Sequence, residues 1–174
     1  MFYLIDGYNL VLASGLARTL NGPGNYLRAQ SRLLGWLAGS LTEMERSRTT
    51  VVFDAKPGTV DKKELIVDGM RVLFAVDYPD ADSQLEDLIA KHSAPKQLTV
   101  VSSDRRIRTA AKSRRAQALT SEDWYDQMER RKHQPPALAE PEEKPSVGNA
   151  EQLITEFDTA EIQRLIDDEP RDYP

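Results

Sequence analysis

The sequence contains no cysteine. That excludes a disulfide framework and any cysteine-ligated metal site. Histidine is nearly as scarce: the two present, His92 and His133, read as surface residues with no assigned role. No stretch approaches the ~18 consecutive apolar residues needed to cross a bilayer. The chain opens directly in a strand pattern, so neither a signal peptide nor a membrane span is expected. A cytoplasmic setting is the expectation that fits. Hydrophobic residues make up 40% of the 174, enough for a single core.

Charge is unevenly spread. Residues 1–134 carry 20 Lys and Arg against 17 Asp and Glu, whereas residues 135–174 carry 3 against 11. A mildly basic body and a strongly acidic tail therefore share one chain. Six of the ten prolines fall in the tail. Residues 133–150 have little to bury and read as a Pro- and Glu-rich linker. Residues 151–174 read as an acidic tail with one or two short amphipathic helices, carrying Leu153, Ile154, Phe157, Ile162, Leu165 and Ile166.

Residues 1–132 alternate strand and helix signals. Phe2 to Ile5, Thr49 to Phe53, Met70 to Val76 and Leu98 to Val101 are short apolar or β-branched runs, as in buried strands. A further short strand is expected at Gln117 to Leu119. Helical periodicity runs from Tyr26 to Leu41, with Pro23 placed to open that helix. Ala81 to His92 and Arg105 to Arg115 read as helices. Another starts at Thr120, with Asp123 completing a weak capping box. Lys56-Pro57-Gly58 breaks the chain after Asp54, and Gly7 is read as the site of a tight turn. This alternation predicts a mainly parallel sheet covered on both faces. Ligands bind such sheets beyond the carboxyl ends of the strands.

Acids gather at those ends. Asp6, Asp54 and Asp104 each follow a strand. Asp82 and Glu86 share one helix face four residues apart. Two like charges ~4 Å apart cost roughly 4 kcal/mol at an effective dielectric of about 20. Either the pKa values rise or divalent cations bind among the acids. An all-oxygen donor set favours Mg²⁺ or Mn²⁺ over Zn²⁺, which suits phosphoryl chemistry. Each acid also has a plainer reading. Asp6 and Asp104 can be helix caps, Asp54 a turn former, Asp82 a cap or charge at the helix start, and Glu86 part of a solvated face. The functional reading rests on their joint placement.

The four blocks Ile5-Asp6-Gly7-Tyr8-Asn9, Val51-Val52-Phe53-Asp54-Ala55, Ala81-Asp82-Ser83-Gln84-Leu85-Glu86 and Val101-Ser102-Ser103-Asp104-Arg105 resemble, in order and spacing, the YacP-like branch of the NYN domain. That branch lies within the PIN-like nuclease superfamily. The resemblance covers residues 1–132. It implies a PIN-like three-layer α/β/α sandwich and a metal-dependent ribonuclease, read as an endonuclease. It implies Asp6, Asp82 and Asp104 as ligands for Mg²⁺ or Mn²⁺, Glu86 as a supporting acid, and Asn9 as the residue orienting the site. Asp54 matches a recurrent position of less defined role. The branch includes a ribosome-dependent mRNA endonuclease, which makes the ribosome one candidate partner. Two departures, Ala81 where Thr is common and Leu85 where Ile is common, touch no implied ligand.

A substrate surface should complement the acids. Arg105, Arg108, Lys112 and Arg115 share a helix face at spacings of three and four, suited to the phosphates of single-stranded RNA; an ordinary solvated face is the alternative. Ser103 can meet a phosphate at the helix start. Tyr8 can stack on a base or pack under its loop. Trp36 and Trp124 read as core. A phosphatase of the haloacid dehalogenase type requires an acid where Tyr8 stands, and a phospho-receiver domain requires paired acids after the first strand. The rival reading that survives is a catalytically silent module binding RNA or the ribosome. The acidic tail is expected to dock on a protein partner or on its own domain.

Overall fold

A computed structural model describes residues 1–16, 25–55 and 63–133. The apolar runs form the sheet. β1 (Phe2–Asp6), β2 (Thr49–Phe53), β4 (Met70–Phe74), β5 (Leu98–Val101) and β6 (Gln117–Leu119) are mutually parallel. β3 (Glu64–Val67) adds antiparallel to β4 at one edge. The order is β3-β4-β2-β1-β5-β6. Ile5 stands beside Val51 on one side and Val101 on the other, so β1 is interior. The chain leaves β1 toward β2 and returns to β1's other side as β5. The order therefore reverses at β1, and a crevice opens beyond its carboxyl end.

Alternation along the strands divides the core in two. Ile5, Val51, Phe53, Val72 and Val101 face one layer, with Leu10 and Val11 of α1 (Gly7–Ala13), Leu33 and Leu37 of α2 (Asn25–Ser40), and Trp124 and Met128 of α6 (Ser121–His133). Leu4, Val52, Leu73 and Val100 face the other, with Leu85 and Ile89 of α4 (Ala81–Lys91) and Ile107 and Ala111 of α5 (Arg105–Ser113). The result is the expected three-layer α/β/α sandwich. A short α3 (Glu43–Arg46) joins α2 to β2.

Some local expectations are corrected. Gly7 does not make a tight turn: it is the first residue of α1, capped by Asp6. Its lack of a side chain matters for packing, because a Cβ there would lie 2.2 Å from Cε1 of the fully buried Phe53. The basic helix ends at Ser113, with Arg114 as its cap. Arg115 is outside it, at φ +61°, so it does not continue the helical face of Arg105, Arg108 and Lys112. The third predicted strand stops at Phe74. β3 escapes prediction because it is a four-residue edge strand, alternately exposed and only partly buried, with too short an apolar run to stand out. Thr120 Oγ1 accepts from the Asp123 N–H as expected. Trp124 is buried, whereas Trp36 is only partly covered, stacks on Tyr125 and donates to Glu129. The Pro23 turn, the Lys56-Pro57-Gly58 breaker, the linker and the acidic tail lie outside the described residues.

Candidate carboxylate site

Each acid at the crevice is held by a strand end or helix start. Asp6 ends β1 and caps α1, and it is only 2% exposed. A carboxylate so buried needs compensating donors. Its Oδ1 accepts the Asn9 N–H at 3.1 Å, and its Oδ2 accepts Asn9 Nδ2 and, at 2.8 Å, the Ser102 hydroxyl. Ser102 Oγ in turn accepts the Asp104 N–H at 3.1 Å. One hydroxyl thus links the end of β1 to the start of α5. Asp104 caps α5 by accepting the Arg106 N–H.

The second junction is built the same way. Asp54, just past β2, accepts the Ala81 N–H at 2.8 Å, and Asp80 accepts the Ser83 N–H at 2.7 Å. Asp80 caps α4, so Asp82 is not the cap and sits in its first turn. Burial, then the charges of Asp6, Asp104 and Asp80, push the Asp82 carboxyl up to about 6; Arg106 opposes them. That places Asp82 within the field of both other predicted ligands. The donor set fits a divalent cation in kind, being all oxygen and mutually repulsive. It is not gathered around a point: among the described residues no three His, Cys, Asp or Glu side chains stand close enough to hold a metal ion.

The remaining predicted residues are distributed as follows. Glu86 is tied to Arg106 by two hydrogen bonds, at 2.8 and 2.6 Å. Ser103 Oγ donates to Glu122 and accepts the Ser121 N–H; it is engaged with the start of α6. Tyr8 is 46% exposed, its ring 6.2 Å from that of Tyr26. Burial and the nearby Asp54 and Asp6 push the Tyr26 hydroxyl up to about 12, against a hydrogen bond with Gln30. A groove of about 640 Å³ lies beside Glu86 and Asp104, lined on α5 by Arg105, Arg106, Thr109, Ala110 and Ser113. Arg105 is on that wall; Arg108 and Lys112 are not among its lining residues.

Sequence reasoning gave no site role to Ser102 or Arg106. Ser102 had a readable signal: it directly follows a fully buried strand, and a polar residue there must find a partner. Arg106 had none, because its partner lies on another helix.

A doubly covered, mainly parallel sheet with acids at three strand–helix junctions is the arrangement expected of a PIN-like domain. The YacP-like NYN domain model matches residues 3–166, and the chain belongs to that family, which is nuclease-like. The match runs past residue 132, further than the four sequence blocks. A crystal structure of a mutant Rae1 (YacP) from Bacillus subtilis is similar at a TM-score of 0.57 and 23% identity over 76% of this chain and 77% of that one. A second crystal structure of Rae1 (YacP) from the same organism gives 0.52 at 23% identity, over 76% and 78%. At that identity the likeness speaks for the fold. Among curated proteins no match is found.

Proposed function

We propose that the protein is a metal-dependent ribonuclease that hydrolyses phosphodiester bonds within single-stranded RNA. The observation that carries this reading is the relay Asn9–Asp6–Ser102–Asp104, which joins two strand ends at the sheet's order reversal. Such a relay fixes a buried carboxylate where a cap alone would need no second strand. Asp6, Asp82 and Asp104 would hold Mg²⁺ or Mn²⁺. A divalent cation, when bound, supplies a Lewis acid for phosphoryl transfer. Asn9 and Ser102 orient Asp6. Arg105, at the head of the groove, meets the negative RNA backbone. Catalysis on this reading is positioning and electrostatics.

A second reading has one observation in its favour. Because no three acids among the described residues are gathered to grip an ion, a silent RNA-binding module is the alternative. Incubating the full chain with single-stranded RNA and Mn²⁺ or Mg²⁺, beside D6N and D104N, separates the two. Cleavage by the wild type alone, abolished by EDTA, is expected. Equal cleavage by all three proteins, or cleavage that survives EDTA, would sink the assignment. Binding without cleavage, persisting when ribosomes are added, would favour the silent module. Removal of the acidic segment after Lys132 is expected to tighten RNA binding at low salt, if that segment shields the basic face of the helix that begins at Arg105.

A further inference from the structure

Glu86 lies one turn beyond Asp82 on α4, yet both its oxygens are taken by one guanidinium. Arg106 Nε meets Oε1 at 2.8 Å and Nη2 meets Oε2 at 2.6 Å. This is the parallel fork by which arginine binds carboxylate and phosphate alike. The Arg106 side chain is 52% exposed and that of Glu86 33%. Both line the groove of about 640 Å³ between α4 and α5.

We propose that Arg106 is a phosphate-binding residue of this groove and that Glu86 occupies it until substrate arrives. An RNA backbone phosphate displaces the Glu86 carboxylate from the guanidinium and frees Glu86 toward Asp82. The proposal rests on the RNA-cleaving reading. Three observations support it. Solvent screens so exposed an ion pair, so exchanging its anion costs little. The pair is not needed to hold the helices together, because Leu85, Ile89, Ile107 and Ala111 are buried between α4, α5 and the sheet. And a phosphate nearing Asp82 and Asp104 needs a cation beside them; Arg106 lines the same groove as Asp104 and is forked to Glu86, one turn beyond Asp82.

The test is fluorescence anisotropy of the full chain with a labelled single-stranded oligouridylate, in EDTA so that nothing is cut, across a salt series. R106Q is expected to bind about fivefold more weakly, with the salt slope lower by about 1. E86Q is expected to bind about threefold more tightly, by removing the competitor, and to have no effect in the R106Q background. R106K, which keeps the charge and loses the fork, should fall between wild type and R106Q; it also serves if R106Q does not fold. Wild-type affinity and slope in both R106Q and R106K would overturn the proposal. So would equal tightening by E86Q in both backgrounds, which would mark a bulk charge effect. If the wild type binds no RNA, the reading beneath the proposal fails with it; a wild type that binds and an R106Q that matches it would sink the proposal alone.

Discussion

The Ser102 hydroxyl donates to Asp6 Oδ2 at 2.8 Å, between residues with 2% or less of their surface exposed. A hydrogen bond to a buried charge contributes more than a neutral one, and its loss leaves the carboxylate undersolvated. Ser102→Ala is predicted to lower stability by about 2 kcal/mol. Ser103→Ala, which loses bonds to Glu122 and the Ser121 N–H at a more exposed position, should cost under about 1 kcal/mol. Urea unfolding of both variants measures the contrast. Equal losses would mean that the Ser102–Asp6 bond has no special weight.

Gly7 and Phe53 are coupled by space alone. Gly7→Ala places a methyl 2.2 Å from a ring with no exposed surface to yield into. Overpacking of this kind costs about 1–3 kcal/mol, and more when the neighbour is confined. A loss near 3 kcal/mol is expected, on the order of the upper end of that range. Phe53→Leu should destabilise by itself, but in that background Gly7→Ala should cost at least about 1 kcal/mol less. A double-mutant cycle with no coupling would locate the requirement for glycine elsewhere.

The same pair shows what could be read without coordinates. Buried parallel strands are short apolar or β-branched runs, so β2 and β5 were legible to the residue, whereas the partly exposed β6 was placed without that signal. Elements whose residues answer to neighbours were not. α1 is hidden because Asp-Gly-Tyr-Asn reads as a turn, and its packing against Phe53 is non-local. β3 survives by pairing with β4, as in the bidentate contact of Arg71 with Glu64 across the register. At the site, Asp6, Asp82 and Asp104 were readable as strand-end and helix-start acids. Their plainer readings were also correct for Asp6 and Asp104, which cap helices. Asp54 takes the structural part, tying β2 to α4. The pairing of Glu86 with Arg106 across two helices has no one-dimensional signature.

Glu45 ties α3 to α6 and gives the fold a defined acid sensitivity. Arg131 meets both its oxygens, at 2.7 and 2.8 Å, and the Thr42 N–H donates at 2.8 Å. The Arg131 bonds first, then those of Thr42, hold the Glu45 carboxyl down at about 2 against a usual 4.5. A depressed folded pKa stabilises the chain above the unfolded value, and that contribution is lost as pH falls from about 4.5 toward about 2. Because the pair is partly exposed, about 1–2 kcal/mol is expected rather than the full shift. Arg131→Met should therefore be less stable than wild type at about pH 7, and the gap should narrow between about pH 5 and about pH 3. A gap constant across that range would disprove the linkage.

Asp82 has the opposite sign. Its carboxyl titrates near 6 in the folded chain against 3.8 in the absence of its neighbours. The folded chain thus holds a proton that the unfolded chain has released, and its ionised form is penalised. That penalty is fully present above about pH 6, shrinks as pH falls through about 6, and is gone below about 4. Asp82→Asn removes the repulsion from Asp6, Asp104 and Asp80. In EDTA at about pH 7.5 it is predicted to stabilise the protein by about 1–2 kcal/mol after allowance for solvent screening. At about pH 4 the variant and the wild type should unfold alike. If the cluster takes a divalent cation, the order inverts at about pH 7.5: saturating Mn²⁺ raises the melting temperature of the wild type by mass action and that of Asp82→Asn far less. Thermal melts at the two pH values, with and without Mn²⁺, contain the whole prediction. A destabilised Asp82→Asn in EDTA at the higher pH would refute the charge cluster, and equal Mn²⁺ shifts in both proteins would refute Asp82 as a ligand.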